Sequence, residues 1–260
     1  MVTPLSHYQH PYWHVHYVAR TASTNDWALQ AGETVDGEGH VFMADEQTAG
    51  RGRLSRRWVA PPGTCLLMSL LFRPPAPFAQ RAGRLPMVCG LAMLDAIAAF
   101  ASLPVQLKWP NDLIVTDAGG WRKLAGMLSE IGLHDNTPAF VVVGMGLNVN
   151  VPPAALSALS PNATSLLAET GQCIERVALL DTFLTQLTAW YARLRAGEDV
   201  WTPWRARLAW LGCAVQVQTP THLVRGVAED VDESGALLLR LPDGRQQRFP
   251  VGDVSLRHVA

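Results

Sequence analysis

Nine consecutive positions, Gly50-Arg51-Gly52-Arg53-Leu54-Ser55-Arg56-Arg57-Trp58, hold four arginines and two glycines in a chain whose formal net charge is only −1. Guanidinium forks grip carboxylate or phosphate through paired hydrogen bonds, and glycine lets the backbone approach a ligand closely. The segment is therefore a candidate anion site, although a basic loop standing alone is more often a solvated surface feature. Three further segments bear on that choice. In Lys108-Trp109-Pro110-Asn111-Asp112, Pro110 fixes its own φ and turns Trp109 away from helix, while Asn111 and Asp112 are turn formers whose side chains can face a site. Arg122 to Glu130 brings Lys123 to the start of an apolar run, with Gly126 three residues later, where a side chain would obstruct. Lysine there can hold a negatively charged intermediate.

The fourth segment runs from Val141 to Asn150, an apolar strand leading into Gly144, Gly146, Asn148 and Asn150. Gly-x-Gly after a strand is weak evidence of nucleotide binding. The Rossmann fingerprint is incomplete, Pro152-Pro153 forbids a helix starting at once, and no Walker Gly-x-x-x-x-Gly-Lys-Ser/Thr is present. Any ATP is bound outside the P-loop scheme.

Elements must position these residues. At 260 residues with 48% hydrophobic and 17% charged residues, and a mean hydropathy of +0.09, the chain has ample core for a globular protein, which excludes a disordered tail or a fibre. No run of Lys or Arg reaches the length of a nucleic-acid footprint. Met1 to Trp13 lacks the pattern of a signal peptide, and no apolar stretch is long enough to span a bilayer, so a soluble cytoplasmic protein is expected, with no membrane and no nucleic-acid partner. Cys65, Cys89, Cys173 and Cys213 are scattered without paired spacing and read as reduced and mostly buried. His7/His10 and His14/His16 lack a third ligand, so no metal site is assigned.

Val41–Ala44, Leu66–Phe72, Leu113–Val115 and Phe140–Val143 read as buried strands, and Trp13–Arg20 as a further one. Arg84–Ala101 and Arg176–Arg195 read as helices, the latter with Val177, Leu180, Leu184, Leu187, Tyr191 and Leu194 on one face. After Trp210 the runs shorten, around Val215, Val217, Leu223–Val227, Ala236–Leu241 and Gln246–Val251, with turns at Gly235 and Asp243-Gly244, a pattern that predicts a small β-barrel docked on a larger domain. Trp190, Trp201, Trp204 and Trp210 precede it and are expected to pack the two domains together.

Taken in order, Ser23-Thr24-Asn25, Gln47 to Arg53, Lys108 to Asp112, Lys123-Leu124-Ala125-Gly126 and Gly144-Met145-Gly146-Leu147-Asn148 resemble the motif set of the biotin–protein ligases. The resemblance continues through Ala163-Thr164-Ser165-Leu166 and into Pro250 to Arg257, and covers the chain from about Trp13 to its end. Ala60 departs from the family pattern, where serine is usual; little loss is expected.

The resemblance implies an α+β fold: a mixed β-sheet flanked by helices, of the class II synthetase-like kind, with a C-terminal SH3-like β-barrel. It implies a flexible segment over 1–12, a catalytic domain over 13–211 and the SH3-like domain over 212–260. It further implies that biotin and MgATP form biotinyl-5′-AMP, and that biotin passes to a lysine of a biotin carboxyl carrier protein domain. Joining two anions requires fixed positive charge. By position in the motifs, Lys123, Arg53 and Asp112 are the catalytic candidates, with Asp112 orienting or deprotonating the acceptor lysine. Ser23, Thr24, Asn25, Gln47, Gly50, Arg51, Lys123 and Gly126 are the candidates for biotin. Arg51, Arg53, Trp58, Lys108, Asn111 and Asn148 are those for ATP. Mg²⁺ is expected on phosphate oxygens and water.

The arginine loop is expected to order on ligand and close over the anhydride, so Arg53→Gly is expected to release adenylate and label neighbouring lysines indiscriminately. About twenty residues precede Ser23, too few for the helix-turn-helix domain of some relatives, and either a monomer or a homodimer is compatible with the sequence. A lipoate–protein ligase or octanoyltransferase and a non-catalytic biotin-binding scaffold are the competing readings.

Overall fold

A computed structural model describes residues 8–74, 82–118, 120–134, 137–219, 222–250 and 255–258, the last group as backbone. His7 and residues 251–254 of the closing motif lie outside it. In chain order the elements are β1 (His14–Thr21), α1 (Thr24–Gly32), β2 (His40–Gln47), β3 (Cys65–Phe72), α2 (Leu85–Phe100), β4 (Val105–Lys108), β5 (Asp112–Asp117), β6 (Gly120–His134), β7 (Thr137–Asn148), α3 (Pro153–Leu159), α4 (Leu166–Thr170), α5 (Arg176–Arg195) and α6 (Trp201–Ala206). They are followed by β8 (Ala214–Gln218), β9 (Leu223–Val231), β10 (Leu237–Arg240), β11 (Gln246–Phe249) and β12 (Ser255–His258).

The first seven strands form one sheet in the order β1-β2-β3-β7-β6-β5-β4. It is mixed: β1 and β2 run parallel and the remaining neighbours antiparallel. Strand β3 is buried along its whole length, as an interior strand covered on both faces must be, and its period of two sorts its side chains. Leu66, Met68, Leu70 and Phe72 join the main core. Leu71 belongs to a second cluster with Ala28 of α1, and Cys65 and Leu67 to a third with Leu156 of α3. Ser69, on the same face as Leu67 and Leu71, is the single polar residue of the strand.

Strand β7 repeats the division: Val141, Val143, Met145 and Leu147 face the main core, while Phe140 and Val142 face α1. Gly144, Gly146 and Asn148 occupy the continuation of that second face, where two residues without side chains leave a hollow between α1 and α3. The main core on the opposite face is closed by α2 and α5. α2 is apolar on nearly every side and correspondingly buried, and α5 presents Leu180, Leu184, Leu187, Tyr191 and Leu194.

Two local expectations change, on the prolines after β7 and on the cysteines, and one helix, α1, has no counterpart among the expected elements. The prolines after β7 start a helix: α3 begins at Pro153, since proline in a first helical turn has no N–H to lose. α1 carries no clear apolar periodicity, because its buried residues begin with Thr24 and Asn25. Of the four cysteines, Cys65 and Cys89 are buried but Cys173 is exposed and Cys213 half-buried; all are free.

The C-terminal strands form a separate antiparallel sheet, β11-β10-β9-β8-β12, the small β-domain expected of this region. It is docked by Trp201, whose Nε1 donates to the Asp232 carbonyl at 2.8 Å, and by the Arg205–Asp230 ion pair. Trp190 Nε1 donates to Asp95 of α2 at 2.7 Å, and its ring belongs to the main core cluster. No helix of the described residues is long and apolar enough to cross a membrane.

Candidate active site

The hollow over β3, β6 and β7 is a cavity of about 690 Å³. Its neutral end is built where α1 begins. Ser23 caps the helix, its Oγ accepting from Asp26 N–H at 3.4 Å, and so holds the first turn against the sheet. Thr24 donates through both its backbone N–H and its hydroxyl to Gln47 Oε1, at 2.7 and 3.0 Å. Ser69 Oγ bridges Thr24 Oγ1 at 2.8 Å and Asn25 Oδ1 at 2.6 Å, and Asn25 Nδ2 donates to Glu130 at 2.7 Å. Buried hydroxyls and amides in such a chain fix one another's orientation and present their remaining donors and acceptors at set positions.

Charge gathers at the other end. Arg53, Arg56, Lys108 and Lys123 line the cavity there, Arg51 and Arg57 line it nearer α1 and β2, and Asp112 is the one lining carboxylate among the described residues. The arginine loop is a tight reversal: Leu54 and Ser55 both have positive φ (57° and 58°), and Arg51 pairs with Arg57 across it. Arg53 Nη1 donates to Asn111 Oδ1 at 2.9 Å and ties the loop to the turn between β4 and β5. Asn111 in turn donates to the Met127 carbonyl at 2.6 Å. That turn contains a cis peptide between Trp109 and Pro110, and the hairpin sets Lys108 opposite Asp112.

Asp112 Oδ1 lies 2.7 Å from Lys123 Nζ and Oδ2 lies 3.3 Å from Lys108 Nζ. Burial works to raise its pKa, but the charges of Lys123 and Lys108 and their hydrogen bonds outweigh it and hold the carboxyl below its ordinary value. Lys108 itself is pushed down, first by burial and then by Lys123 and Arg56, with Asp112 opposing.

The glycines shape this end. A Cβ on Gly146 would lie 2.4 Å from Trp58 Cε2, and one on Gly126 would lie 3.0 Å from both the Trp58 ring and Lys123 Nζ. Trp58 therefore lies flat on a floor without side chains, its ring 5.5 Å from Lys123 Nζ, and its indole N–H has no partner among the described residues. Gly50 is the one residue of the expected site that does not line the cavity; a Cβ there would strike the Trp58 carbonyl at 2.5 Å, so it serves the turn.

Asn148 reaches the cavity, yet its amide is committed to the Thr164 carbonyl at 2.8 Å and to Cys65 Sγ at 3.5 Å. Cys65 is buried and its thiol pushed up to about 11 by that burial, which suits a packing role.

Several lining or bracing residues escape the sequence reading. The segment Leu159 to Ala163 closes one wall, joined to Lys123 by its backbone: Lys123 N–H donates to the Asn162 carbonyl at 2.6 Å, and Thr164 N–H to the Lys123 carbonyl at 2.9 Å. Arg122, beside Lys123, is turned away and held by Glu169 and Asp117 at 2.7 and 2.6 Å. Glu130 pairs with Arg51, and Trp121 lies over Lys108. The only signal for Ser69 is a hydroxyl interrupting an otherwise apolar strand; Ala163 opens a stretch that the resemblance covers, but for Leu159 to Asn162 no signal exists, since nothing in a loop sequence reports which cavity it borders.

A pocket that carries both a hydroxyl and amide network and a cluster of cations suits a ligand that joins a polar neutral group to an acid, beside a phosphate. The model of the biotin/lipoate A/B protein ligase family matches residues 17–148, and that of the biotin protein ligase C-terminal domain matches residues 211–257. A biotin–[acetyl-CoA-carboxylase] ligase of Paracoccus denitrificans is 37% identical over 236 residues, which cover 88% of this chain and 95% of that protein. A Mycobacterium tuberculosis protein of the same name is 37% identical over 91% of this chain and 86% of its own length. The biotin protein ligase of Aquifex aeolicus, solved in complex with biotin and ATP, superposes with a TM-score of 0.77 at 25% identity, covering 94% of this chain and 99% of that one. The chain belongs to the biotin protein ligase family.

Proposed function

We propose that the cavity binds biotin with its ureido ring at the Ser23–Thr24–Gln47 end and its carboxylate at the cationic end, beside the α-phosphate of ATP. Biotinyl-5′-AMP forms there, and the biotinyl group then passes to the ε-amine of a lysine in a biotin carboxyl carrier protein domain. The observation that carries the reading is the grouping, among the described residues, of six cationic side chains and one carboxylate around one cavity that also holds the hydroxyl and amide network of Ser23, Thr24, Asn25 and Gln47. Two anions brought together repel, and fixed cations in a poorly solvated pocket offset that repulsion before reaction begins.

Arg51, Arg53 and Lys123 are the groups assigned to the biotin carboxylate and the phosphates; Trp58 and its unpartnered indole N–H cover the reacting end. Asp112 orients the acceptor amine. Mg²⁺ enters as part of the ATP substrate, held on phosphate oxygens and water. A division into a catalytic part over 13–211 and a C-terminal part over 212–260, acting in the cytoplasm, completes the reading.

Incubation of the protein with MgATP, labelled biotin or lipoate, and a carrier domain tests it. Pyrophosphate release with biotin, and biotin label becoming covalent on the carrier, is the expected result. Label from lipoate alone, or binding of biotin without turnover, would overturn it.

A further inference from the structure

Lys108 is the most buried cation of the cavity, with a relative exposure of 6%. Its ammonium nitrogen meets one end of the Asp112 carboxylate, whose other end is taken by Lys123. Above it lie the rings of Trp121 and Trp210, with centroids at 5.2 and 5.9 Å. The charged groups that face it are Asp112 from β5, Lys123 from β6 and Arg56 from the arginine loop, and only Asp112 favours its charged form. One buried carboxylate already serves two lysines.

The second half of the reaction adds a third amine. An acceptor lysine arrives as an ammonium ion, and its nitrogen has no lone pair for attack until a proton leaves. Three ammonium groups around one carboxylate in a poorly solvated pocket are strongly disfavoured, since burial of charge must be compensated. We propose that Lys108 is a positioning residue that works through Asp112 as the proton reservoir of aminolysis, receiving the proton that the incoming primary alkyl amine must lose. The inference rests on the ligase reading above.

As the acceptor ammonium enters, Lys108 gives up its own proton to solvent, since three ammonium groups cannot share one buried carboxylate; the acceptor then passes one proton to Asp112, which passes it to the freed amine of Lys108. The freed nitrogen attacks the acyl carbon, a C–N bond forms, and the C–O bond to phosphate breaks with its electron pair staying on AMP. The second N–H proton leaves with the AMP phosphate, and Lys108 is left as the ammonium it was before the acceptor entered. Asp112 alone is a poor final acceptor, because protonating it would leave Lys123 beside a neutral acid. Moving the proton on to Lys108 ends instead in a buried ion pair. Lys123, more exposed and lying against Trp58, keeps its charge for the anions.

The test forms biotinyl adenylate on the full chain from biotin and MgATP, then chases it with either a biotin carboxyl carrier domain or hydroxylamine, whose nitrogen is uncharged at neutral pH. Each variant is scored by the ratio of its two chase rates, so any loss of folded protein or adenylate cancels. For Lys108→Arg, which cannot give up its charge, and for Lys108→Met, the carrier-to-hydroxylamine ratio at pH 7 is expected to fall about 100-fold, the usual scale of general-base assistance. That deficit should shrink about tenfold for each pH unit as the acceptor amine deprotonates unaided. An unchanged ratio and pH profile in Lys108→Arg would overturn the proposal, as would equal losses with both nucleophiles. If the unaltered protein forms no adenylate from biotin and MgATP, the ligase reading falls and this inference with it. Adenylate formation with an unchanged ratio removes the inference alone.

Discussion

Arg51 and Glu130 meet as a two-pronged ion pair at the cavity mouth, Nη1 to Oε1 at 2.9 Å and Nη2 to Oε2 at 2.6 Å, with Asp26 2.7 Å from the same Nη2. An arginine assigned to a substrate anion is thus already engaged, and the ligand must compete with two carboxylates. The side chains are partly exposed, so the pair contributes no more than about 1 kcal/mol. Glu130→Gln should tighten biotin binding by up to about fivefold, read by titration calorimetry. A tenfold weakening would mean instead that Glu130 holds Arg51 in its working position.

Gly144 lies under Asn25: a Cβ there would fall 1.9 Å from Asn25 Oδ1. Gly144→Ala must displace an amide that bridges Ser69 and Glu130, at an overpacking cost of about 1–3 kcal/mol. We expect biotin affinity to drop at least about tenfold and thermal stability to fall measurably. Gly83→Ala, where a Cβ meets nothing within 4 Å, is the control and should leave both unchanged.

Glu169 holds Arg122 away from the anion site and accepts from the Thr164 hydroxyl. The hydrogen bond from Arg122 is the largest influence on its carboxyl and, with Thr164 and the Arg122 charge, lowers the pKa against the effect of burial. A folded-state value below the unfolded one stabilises fully above the ordinary glutamate value of about 4.3, and the contribution is lost as pH falls through the folded value. In urea unfolding, Glu169→Gln should be less stable than the unaltered chain by about 1–2 kcal/mol at pH 7, with the gap closing below about pH 4. A gap independent of pH would mean that packing, not charge, is lost.

Trp109 Nε1 donates to the Gly235 carbonyl at 2.8 Å and links the turn that carries Asn111 to the small β-domain. Trp109→Phe keeps the apolar bulk and removes one buried hydrogen bond, a loss of about 1 kcal/mol. Hydrogen exchange should quicken over Leu223–Arg240 with little change in β3 and β7. Protection unaltered in the small domain would show that Trp201 and Arg205 suffice to dock it.

Much of this molecule is legible along the chain because its determinants are local. Apolar runs mark β2, β3, β5 and β7, and the three- and four-residue steps of Leu180, Leu184, Leu187, Tyr191 and Leu194 mark α5. The arginines at 51–57 and the Lys108–Asp112 turn announce charge and a bend by residue type alone. α1 is not legible in the same way, because its buried face starts with Thr24 and Asn25, polar residues satisfied by Gln47, Ser69 and Glu130 from other strands.

What the sequence alone determined is the inventory: which side chains can grip anions, which positions lack a side chain, and which runs must be buried. The tertiary structure decided their pairings. Only the order β3-β7-β6 sets Gly144, Gly146 and Gly126 under Trp58 and Asn25. Only the hairpin and β6 bring Lys108 and Lys123 to one carboxylate, so that of two lysines lining one cavity Lys123 stays partly exposed and Lys108 is buried. The charge a group carries and the ligand it can reach depend on burial and on neighbours distant along the chain, and those are fixed when the sheet is assembled.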